Sequence, residues 1–340
     1  MSRVYSREGG PTIRIVLDIT RLVAEDKLTA QEADRLQALA KRDTGSLAIN
    51  VLISFGAVAV AAGIIALEPA FTTGAALGVA LVAIGLAVSF FAAQQWGLLG
   101  VANTIIGALL LAGGVIGLTE ADFAGLAFSA LLFLALAVAI RSNFLMALVP
   151  LTLAGTLGSN TGYMHAVYML TVTEPSITIA FFALLAGTAY LISRHVGQAY
   201  QQLAITFARV SLILVNFGFW IGSLWGDYPG RTWWARGEDY RLWSNREAWR
   251  VAHLHIPEIA FIVSWAIVII AVGAWAARAN RRWVVTTAAV FGAIEFYTQW
   301  FERLGAEPWP IIVAGLTVVA FAIALWQYNL TPGRPATATA

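Results

Sequence analysis

Two charged side chains lie within long apolar stretches of the chain and could support proton or ion chemistry. Glu295 stands near the middle of WVVTTAAVFGAIEFYTQWFERLG, and Arg209 lies in TFARVSLILVNFGFW. A charge at the centre of a hydrocarbon layer costs about 3 kcal/mol, so it needs a partner, a cavity or neutralisation. We expect Arg209 to be that partner, with Asn216 two turns further along nearly the same helix face. A structural ion pair, a polar pathway, and a separate Arg209 that extends to the interface all stay open.

The segment HLHIPE carries residue types that can bind zinc, namely His253, His255 and Glu258. It lacks the H-E-x-x-H pattern that places two histidines on one helix face. We therefore interpret the histidines as interfacial residues, with a zinc site as the alternative. The chain contains no cysteine, which excludes thiolate metal sites and cysteine nucleophiles. No phosphate-binding loop or nucleophile elbow occurs either, and we predict no cofactor.

The segment WGDYPGRTWWARGEDYRLWSNREAWR at residues 225–250 is rich in tryptophan and arginine. Tryptophan favours the lipid headgroup layer, where arginine pairs with phosphates, so we interpret the segment as an interfacial anchor. The alternatives are a lid over an outward cavity, or a dock for an anionic lipid, a glycan carrier or a partner protein. Helical spacing near its end predicts an amphipathic helix over residues 243–254. The candidate residues are Trp233, Trp234, Arg236, Arg241, Trp243, Arg246, Trp249 and Arg250.

The elements that must position these residues are transmembrane helices. The chain has 340 residues, of which 59% are hydrophobic and 12% charged, whereas soluble domains carry about 25% charged residues. Segments of about 20 apolar residues are long enough to cross a bilayer. The predicted spans, about ten in all, are residues 47–67, 71–95, 98–118, 122–140, 143–158, 175–193, 201–225, 257–277, 283–304 and 308–328.

The orientation of the spans depends on the fifth one, residues 143–158, which is short and contains Pro150. If it crosses, Arg194 and the short ARANRRW turn lie on the same side as the N-terminus, while the five arginines of the 225–250 segment and Arg303 lie on the other side. The positive-inside rule is strongest for short turns and weaker for long loops, which favours this arrangement. If it is re-entrant, the second half is inverted. We favour crossing, which predicts a multi-pass protein of the bacterial inner membrane with both termini cytoplasmic. The inner residues would include Arg3, Arg7, Arg14, Arg21, Arg35, Arg42, Arg141, Arg194, Arg278, Arg281, Arg282 and Arg334.

The N-terminal residues 1–46 are predicted to form a soluble head, a small cytoplasmic helical hairpin whose first helix lies in IRIVLDITRLVAEDKL. Thr29 and Glu32 have capping-box spacing, which predicts a second head helix from Ala30. The head is interpreted as a cytoplasmic cap or, alternatively, as a partner-binding or sensory module. Residues 47–328 then form the bundle, with an outer loop at 226–256, and residues 329–340 form a disordered tail.

Small residues recur in the early spans, as GAALG at residues 74–78 and GALLLAGG at residues 107–114. Glycine at such spacing lets helix backbones approach closely in lipid. We expect these residues to pack helices within one bundle, with a dimer face as the alternative.

The beginning of the chain resembles a bacterial family of polytopic membrane proteins that is defined by an N-terminal domain of unknown function. The head RLVAEDKLTAQEADRLQALA followed by SFGAVAVAAGIIALEP carries the resemblance, over roughly the first hundred residues. It implies a short helical head, a glycine-rich first span and many further spans. No activity is established in the family, so it implies no catalytic residues. The matching residues are Gly56, Ala57, Ala62, Gly63, Ile64 and Ile65.

The expected fold is therefore an all-α integral membrane protein, and the expected role is non-enzymatic: a sensor, a scaffold or a subunit of an envelope complex. One alternative is a transporter or channel for a small solute or ion, with Glu295 and Arg209 near the pathway. Another is a membrane enzyme that acts on lipid-linked substrates at the outer face. The expected partners are the lipid bilayer, anionic headgroups at the tryptophan–arginine segment and a protein at the head. The mildly basic charge of that segment argues against nucleic acid.

Overall fold

The computed structural model describes residue 23, residues 28–164, 167–231, 243–279 and 281–304, and single positions between 309 and 323. This part of the chain is helical apart from one hairpin, in which β1 (Asn160–Met164) pairs antiparallel with β2 (Val167–Thr171). The helices are α1 (Ala30–Leu67), α2 (Phe71–Phe91), α3 (Ala93–Leu118), α4 (Phe123–Ala139), α5 (Asn143–Thr156), α6 (Pro175–Ile192), α7 (Gln198–Trp225), α8 (Trp243–Ala252), α9 (Glu258–Arg278) and α10 (Arg282–Leu304).

Five of these helices are long and apolar enough to cross a membrane, which confirms the helical membrane-protein class. The predicted count of ten spans is not confirmed, because α4, α5 and the apolar part of α1 are shorter. The predicted last span, residues 308–328, and the tail at 329–340 lie largely or wholly outside the described residues. The five helical segments are Phe71–Phe91, Trp96–Leu118, Pro175–Ile192, Tyr200–Trp225 and Glu258–Arg278.

Helix α1 begins where the capping box predicts. The Glu32 amide donates to Thr29 Oγ1 at 3.3 Å, and the Thr29 amide donates to Glu32 Oε2 at 3.0 Å. The Thr29 hydroxyl also donates to Glu32 Oε2 at 2.7 Å, and this hydrogen bond, together with the one from the Thr29 amide, lowers the pKa of the Glu32 carboxyl. The helix then continues through residue 46, so the second head helix and the first predicted span form one helix of 38 residues. At 1.5 Å per residue it extends about 57 Å, well beyond a hydrocarbon core of about 30 Å.

Helices α2 and α3 pack in direct backbone contact through their glycines. A Cβ at Gly78 would lie 2.4 Å from the amide nitrogen of Leu111, and a Cβ at Gly107 would lie 2.6 Å from that of Val82. Such distances leave no room for a side chain, since carbon contacts are optimal near 3.5 to 4.0 Å. The predicted packing of these glycines within one bundle is confirmed.

The second half of the bundle has two distinct ends. At the first, which we call the cationic end, the guanidinium of Arg141 lies 5.5 Å from the ring centre of Tyr200, and those of Arg194 and Arg281 lie 4.9 and 5.7 Å from that of Tyr190. Helix α5 starts there and runs away from it with Pro150 inside the helix. Its 14 residues cover only about 21 Å. The fifth predicted span is therefore present as a short helix that the β-hairpin follows, and it is not among the five helices long enough to cross a membrane.

The opposite end, which we call the cleft end, gathers the hairpin, the start of α6, the end of α7 and the start of α9. Thr173 Oγ1 donates to the Gly158 carbonyl at 2.8 Å and joins the end of α5 to the segment before α6. Asp227, just after α7, forms an antiparallel bridge with Ile256, just before α9, through two backbone hydrogen bonds of 2.9 Å. These contacts hold the loops of four elements around one site.

Candidate ligand-binding cleft

A polar cleft of about 520 Å³ opens at the cleft end of the bundle. Its wall comes from the segment before α6, the last turns of α7 and one arginine of α8. The lining residues include Thr171, Thr173, Trp225, Asp227, Tyr228, Arg231 and Arg250. Small-molecule pockets typically have volumes of about 300 to 1,000 Å³, so the cleft has the size of such a pocket.

Asp227 forms the buried base of the cleft and is 3% exposed. Its carboxylate accepts hydrogen bonds from the amide of Ser176 at 2.9 Å and from the Ser176 hydroxyl. Ser176 lies in the first turn of α6, where amides have no partner within the helix, so Asp227 caps α6 from a different element. Burial raises the pKa of Asp227, and the Ser176 hydrogen bonds and the charge of Arg231 oppose that rise. The carboxylate thereby fixes the loop after α7 to the start of α6.

Glu174 makes the reciprocal connection from the start of α6. Its side chain is fully buried, and its Oε2 accepts a hydrogen bond of 2.8 Å from the Gly230 amide. Gly226 and Gly230 on either side of Tyr228 have positive φ angles of 63° and 93°, which glycine adopts with little steric cost. At Gly226 a Cβ would also lie 2.7 Å from the Ile256 carbonyl oxygen. Two carboxylates and two glycines therefore determine the path of residues 226–231, and with it the position of Arg231.

Helix α8 supplies the second arginine of the cleft. The Arg250 guanidinium lies 5.8 Å from the centre of the Tyr228 ring, and its Nη1 lies 3.4 Å from Glu247 Oε1. Trp249 also packs against Tyr228, with ring centres 6.3 Å apart. The predicted amphipathic helix is present over Trp243–Ala252, two residues shorter than expected. Trp243 and Arg246 lie on it, but their side chains, like Trp233, Trp234, Arg236 and Arg241, lie outside what the structure describes.

The predicted histidines lie beside the cleft as parts of aromatic stacks. His253 stacks on Trp249 at 4.1 Å and its Nδ1 contacts the Trp249 carbonyl at 2.8 Å, whereas His255 stacks on Tyr228 at 4.5 Å. Glu258 is exposed at the first residue of α9. Among the described residues, no three His, Cys, Asp or Glu side chains are grouped so that they could hold a metal ion.

The structure does not bring Arg209 and Glu295 together. The Arg209 guanidinium lies 5.2 Å from the ring centre of Trp283, at the start of α10. Glu295 follows Trp283 by twelve residues (295 − 283) in the same helix, which is about 18 Å. The prediction of an adjacent pair assumed that the two helices start at equal depth, but α7 begins well beyond α10 along the bundle axis. Arg209 therefore extends toward the cationic end.

Asn216 and Glu295 lie in the aromatic core between α7, α9 and α10. Asn216 Oδ1 accepts a hydrogen bond of 3.0 Å from Trp265 Nε1, and its Nδ2 donates to the Leu212 carbonyl at 2.8 Å. Glu295 is 8% exposed, and within the described part of the chain it forms no hydrogen bond or ion pair. The three residues predicted to lie together therefore do not form one site, because Arg209 lies apart from the other two. Both polar atoms of the Asn216 side chain already have hydrogen-bond partners.

Sequence reasoning missed Glu174, Ser176 and Tyr228 as parts of a site. An acidic residue before a proline at the start of an apolar segment, TEPS, indicates a helix start, but nothing local shows that its partner is Gly230. No protein-family model, curated protein or solved structure matches the chain. The residues of the cleft therefore carry the functional proposal.

Proposed function

We propose that the protein is a non-enzymatic, sensory membrane protein that binds a small anionic solute in the cleft. The observation that carries this proposal is the pair of arginines, Arg231 and Arg250, in the wall of a polar cavity. Guanidinium groups bind carboxylates and phosphates through charge-assisted hydrogen bonds. Asp227 is the acidic side chain of the described lining, and its carboxylate is already bound by Ser176. Arg250 has an ion-pair partner, Glu247, at 3.4 Å on its own helix, but both side chains are exposed, and such pairs contribute little, so the guanidinium can exchange this partner for an anion.

The packing below the cleft favours binding over transport. The core there is built from large side chains, among them Phe182, Phe219, Trp265 and Phe291. The cavity beside Asn216 is far smaller than the cleft, about 30 Å³ against about 520 Å³. Among the described residues, apolar and aromatic side chains thus separate the cleft from the cationic end. This separation supports a binding role.

The chemistry of the cleft also favours binding over catalysis. Ser176 is the hydroxyl closest to an activated arrangement, but its hydrogen bond goes to Asp227. Asp227 could act as a base toward this hydroxyl, but the same carboxylate also accepts from the Ser176 amide and is 3% exposed, so the pair fixes the start of α6. The nearby His255 is stacked on Tyr228. The contacts of Ser176 are those of a helix cap.

The cleft faces the outer side of the bacterial inner membrane in this proposal, with the cationic end in the cytoplasm. Support comes from Arg141, Arg194, Arg278, Arg281 and Arg282, which lie at or beside the ends of helices at the cationic end, as the positive-inside rule expects. The head would then lie in the cytoplasm, available to a protein partner, and membership in the family that it resembles remains part of the proposal. A Ser244→Cys variant should react with an impermeant maleimide in intact cells; reaction only after lysis would invert the orientation.

Binding can be tested with the full chain in detergent micelles, with inorganic phosphate and malonate as probe anions. Trp225 and Trp249 lie in and beside the cleft, so their fluorescence should report binding. We expect Arg231→Gln and Arg250→Gln each to weaken binding about tenfold or more, the usual loss for a charge-assisted hydrogen bond. Arg278→Gln, at the opposite end, is the matched control. Equal titrations for all four proteins, or no saturable response, would refute an anion site in the cleft.

A further inference from the structure

An apolar groove runs along the bundle near the cationic end, between α4, α5, α6 and α7. It encloses about 420 Å³, and its wall is almost entirely hydrocarbon. It extends from Tyr200 in the first turn of α7 to Phe207, about two turns and 10 Å further along the helix axis. The residues that define it are Leu134, Val138, Leu185, Ile192, Tyr200 and Phe207.

Arg141 stands at the mouth of this groove. It follows α4, and its guanidinium lies 5.5 Å from the centre of the Tyr200 ring, which lines the groove. The backbone of Arg141 has a φ of 54°, and the Ser142 amide donates to the Ala137 carbonyl at 3.0 Å. This is the helix-ending geometry at which glycine is the usual residue. An arginine there costs on the order of 1 kcal/mol of backbone strain, which a glycine would not have.

The surrounding end of the bundle has a uniform positive charge. The turns at residues 140–143, 193–197 and 278–282 contain arginine and histidine but no aspartate or glutamate. Arg194 is held over the ring of Tyr190 and donates from Nη2 to its hydroxyl at 3.1 Å. An apolar groove that opens at such a charged surface has the two parts of a phospholipid site, one for an acyl chain and one for a headgroup phosphate.

We propose that this groove binds one acyl chain of an anionic phospholipid, whose phosphate contacts the guanidinium of Arg141. Arginine pairs with phosphate through two parallel hydrogen bonds, and the phenol of Tyr200 offers a further donor at the headgroup level. The positive charge of the neighbouring turns selects a net anionic headgroup over a zwitterionic one. This site lies at the other end of the bundle from the cleft and is independent of the proposed anion binding there.

The test compares dioleoyl-phosphatidylglycerol with dioleoyl-phosphatidylcholine, each titrated into the full chain in detergent micelles. Bound lipid is counted by native mass spectrometry, and stabilisation is measured by thermal unfolding. Wild type should retain phosphatidylglycerol preferentially. Arg141→Gly preserves and relaxes the turn, so it should fold normally yet bind phosphatidylglycerol about tenfold more weakly, consistent with the loss of a charge-assisted contact. Arg278→Gln is the control for a general loss of surface charge.

A second variant tests the groove itself. Ala204→Phe places a ring among the lining residues and should displace the acyl chain while Arg141 is unchanged. Its melting temperature without lipid shows whether it has folded. Equal retention of the two lipids by wild type, unchanged affinity in Arg141→Gly, or unchanged affinity in a folded Ala204→Phe would each overturn the proposal.

Discussion

The contact between α2 and α3 makes a quantitative prediction about Gly107→Ala. The added methyl would lie 2.6 Å from the Val82 amide nitrogen, 2.8 Å from the Gly78 carbonyl oxygen and 2.9 Å from Leu81 Cβ. Two of these three are backbone atoms, so no rotamer change relieves the overlap. The helices must separate by nearly 1 Å to reach ordinary contact distance, near 3.5 Å.

The same helix contains a matched control in Gly113, where an added Cβ meets nothing within 4 Å. Glycine to alanine in a helix is favourable by up to about 1 kcal/mol from backbone entropy alone, and both variants share this gain. Overpacking costs about 1 to 3 kcal/mol. We therefore expect Gly107→Ala to be less stable than Gly113→Ala by about that amount.

The assay is reversible unfolding in mixed micelles that contain an increasing fraction of a denaturing detergent, and unfolding is followed by tryptophan fluorescence. The control should be as stable as wild type or more so, and Gly107→Ala should unfold earlier. If the two variants unfold together, or if Gly107→Ala is the more stable, the close backbone contact between α2 and α3 is wrong.

Three further changes test other contacts. Burial raises the pKa of Asp227 above its ordinary value of 3.8. The contribution of Asp227 to folding stability is therefore complete below pH 3.8 and is lost as the pH rises through the pKa of the folded state. Asp227→Asn should remove this decline in melting temperature with pH. Trp265→Phe should cost about 1 to 3 kcal/mol, because Asn216 Oδ1 loses its donor in the core, whereas Trp275→Phe, 47% exposed, should cost less in the same unfolding assay. Thr29→Ala should destabilise the first turn of α1 by about 1 kcal/mol, measured as faster amide exchange at Glu32.

The parts of the fold that could be predicted from the sequence are those that short local patterns determine. The capping box placed the start of α1 at Ala30, because its hydrogen bonds join residues three apart. Glycine spacing in the early spans anticipated the α2–α3 contact for a similar reason, since the pattern belongs to each helix separately. The hairpin after α5 was not anticipated. Its strands, NTGYM and VYMLT, are not separated in the sequence by any of the glycine-containing turn pairs that indicate a hairpin.

Long-range relations could not be predicted in this way. Whether Arg209 meets Glu295 depends on the relative depth of α7 and α10, and hydropathy locates a helix end only to within several residues. The same limit applies to the cleft, where Asp227 caps a helix through Ser176, 51 positions earlier in the chain. Its residues were recognisable only as an interfacial mixture of tryptophan, arginine and acidic side chains.

The proposed lipid site depends on how the charged side chains of the bundle are held. Arg141 and Arg194 lie over tyrosine rings and Arg209 over a tryptophan ring, which orient a guanidinium without neutralising it. The buried carboxylates behave in the opposite way: Asp227 accepts from an amide and a hydroxyl, and Glu174 accepts from an amide. Aromatic faces therefore hold these three cations, so the positive charge of the cationic end stays available to anions from outside the chain. Replacing Tyr200 by leucine should consequently loosen Arg141 and weaken lipid retention without changing the net charge.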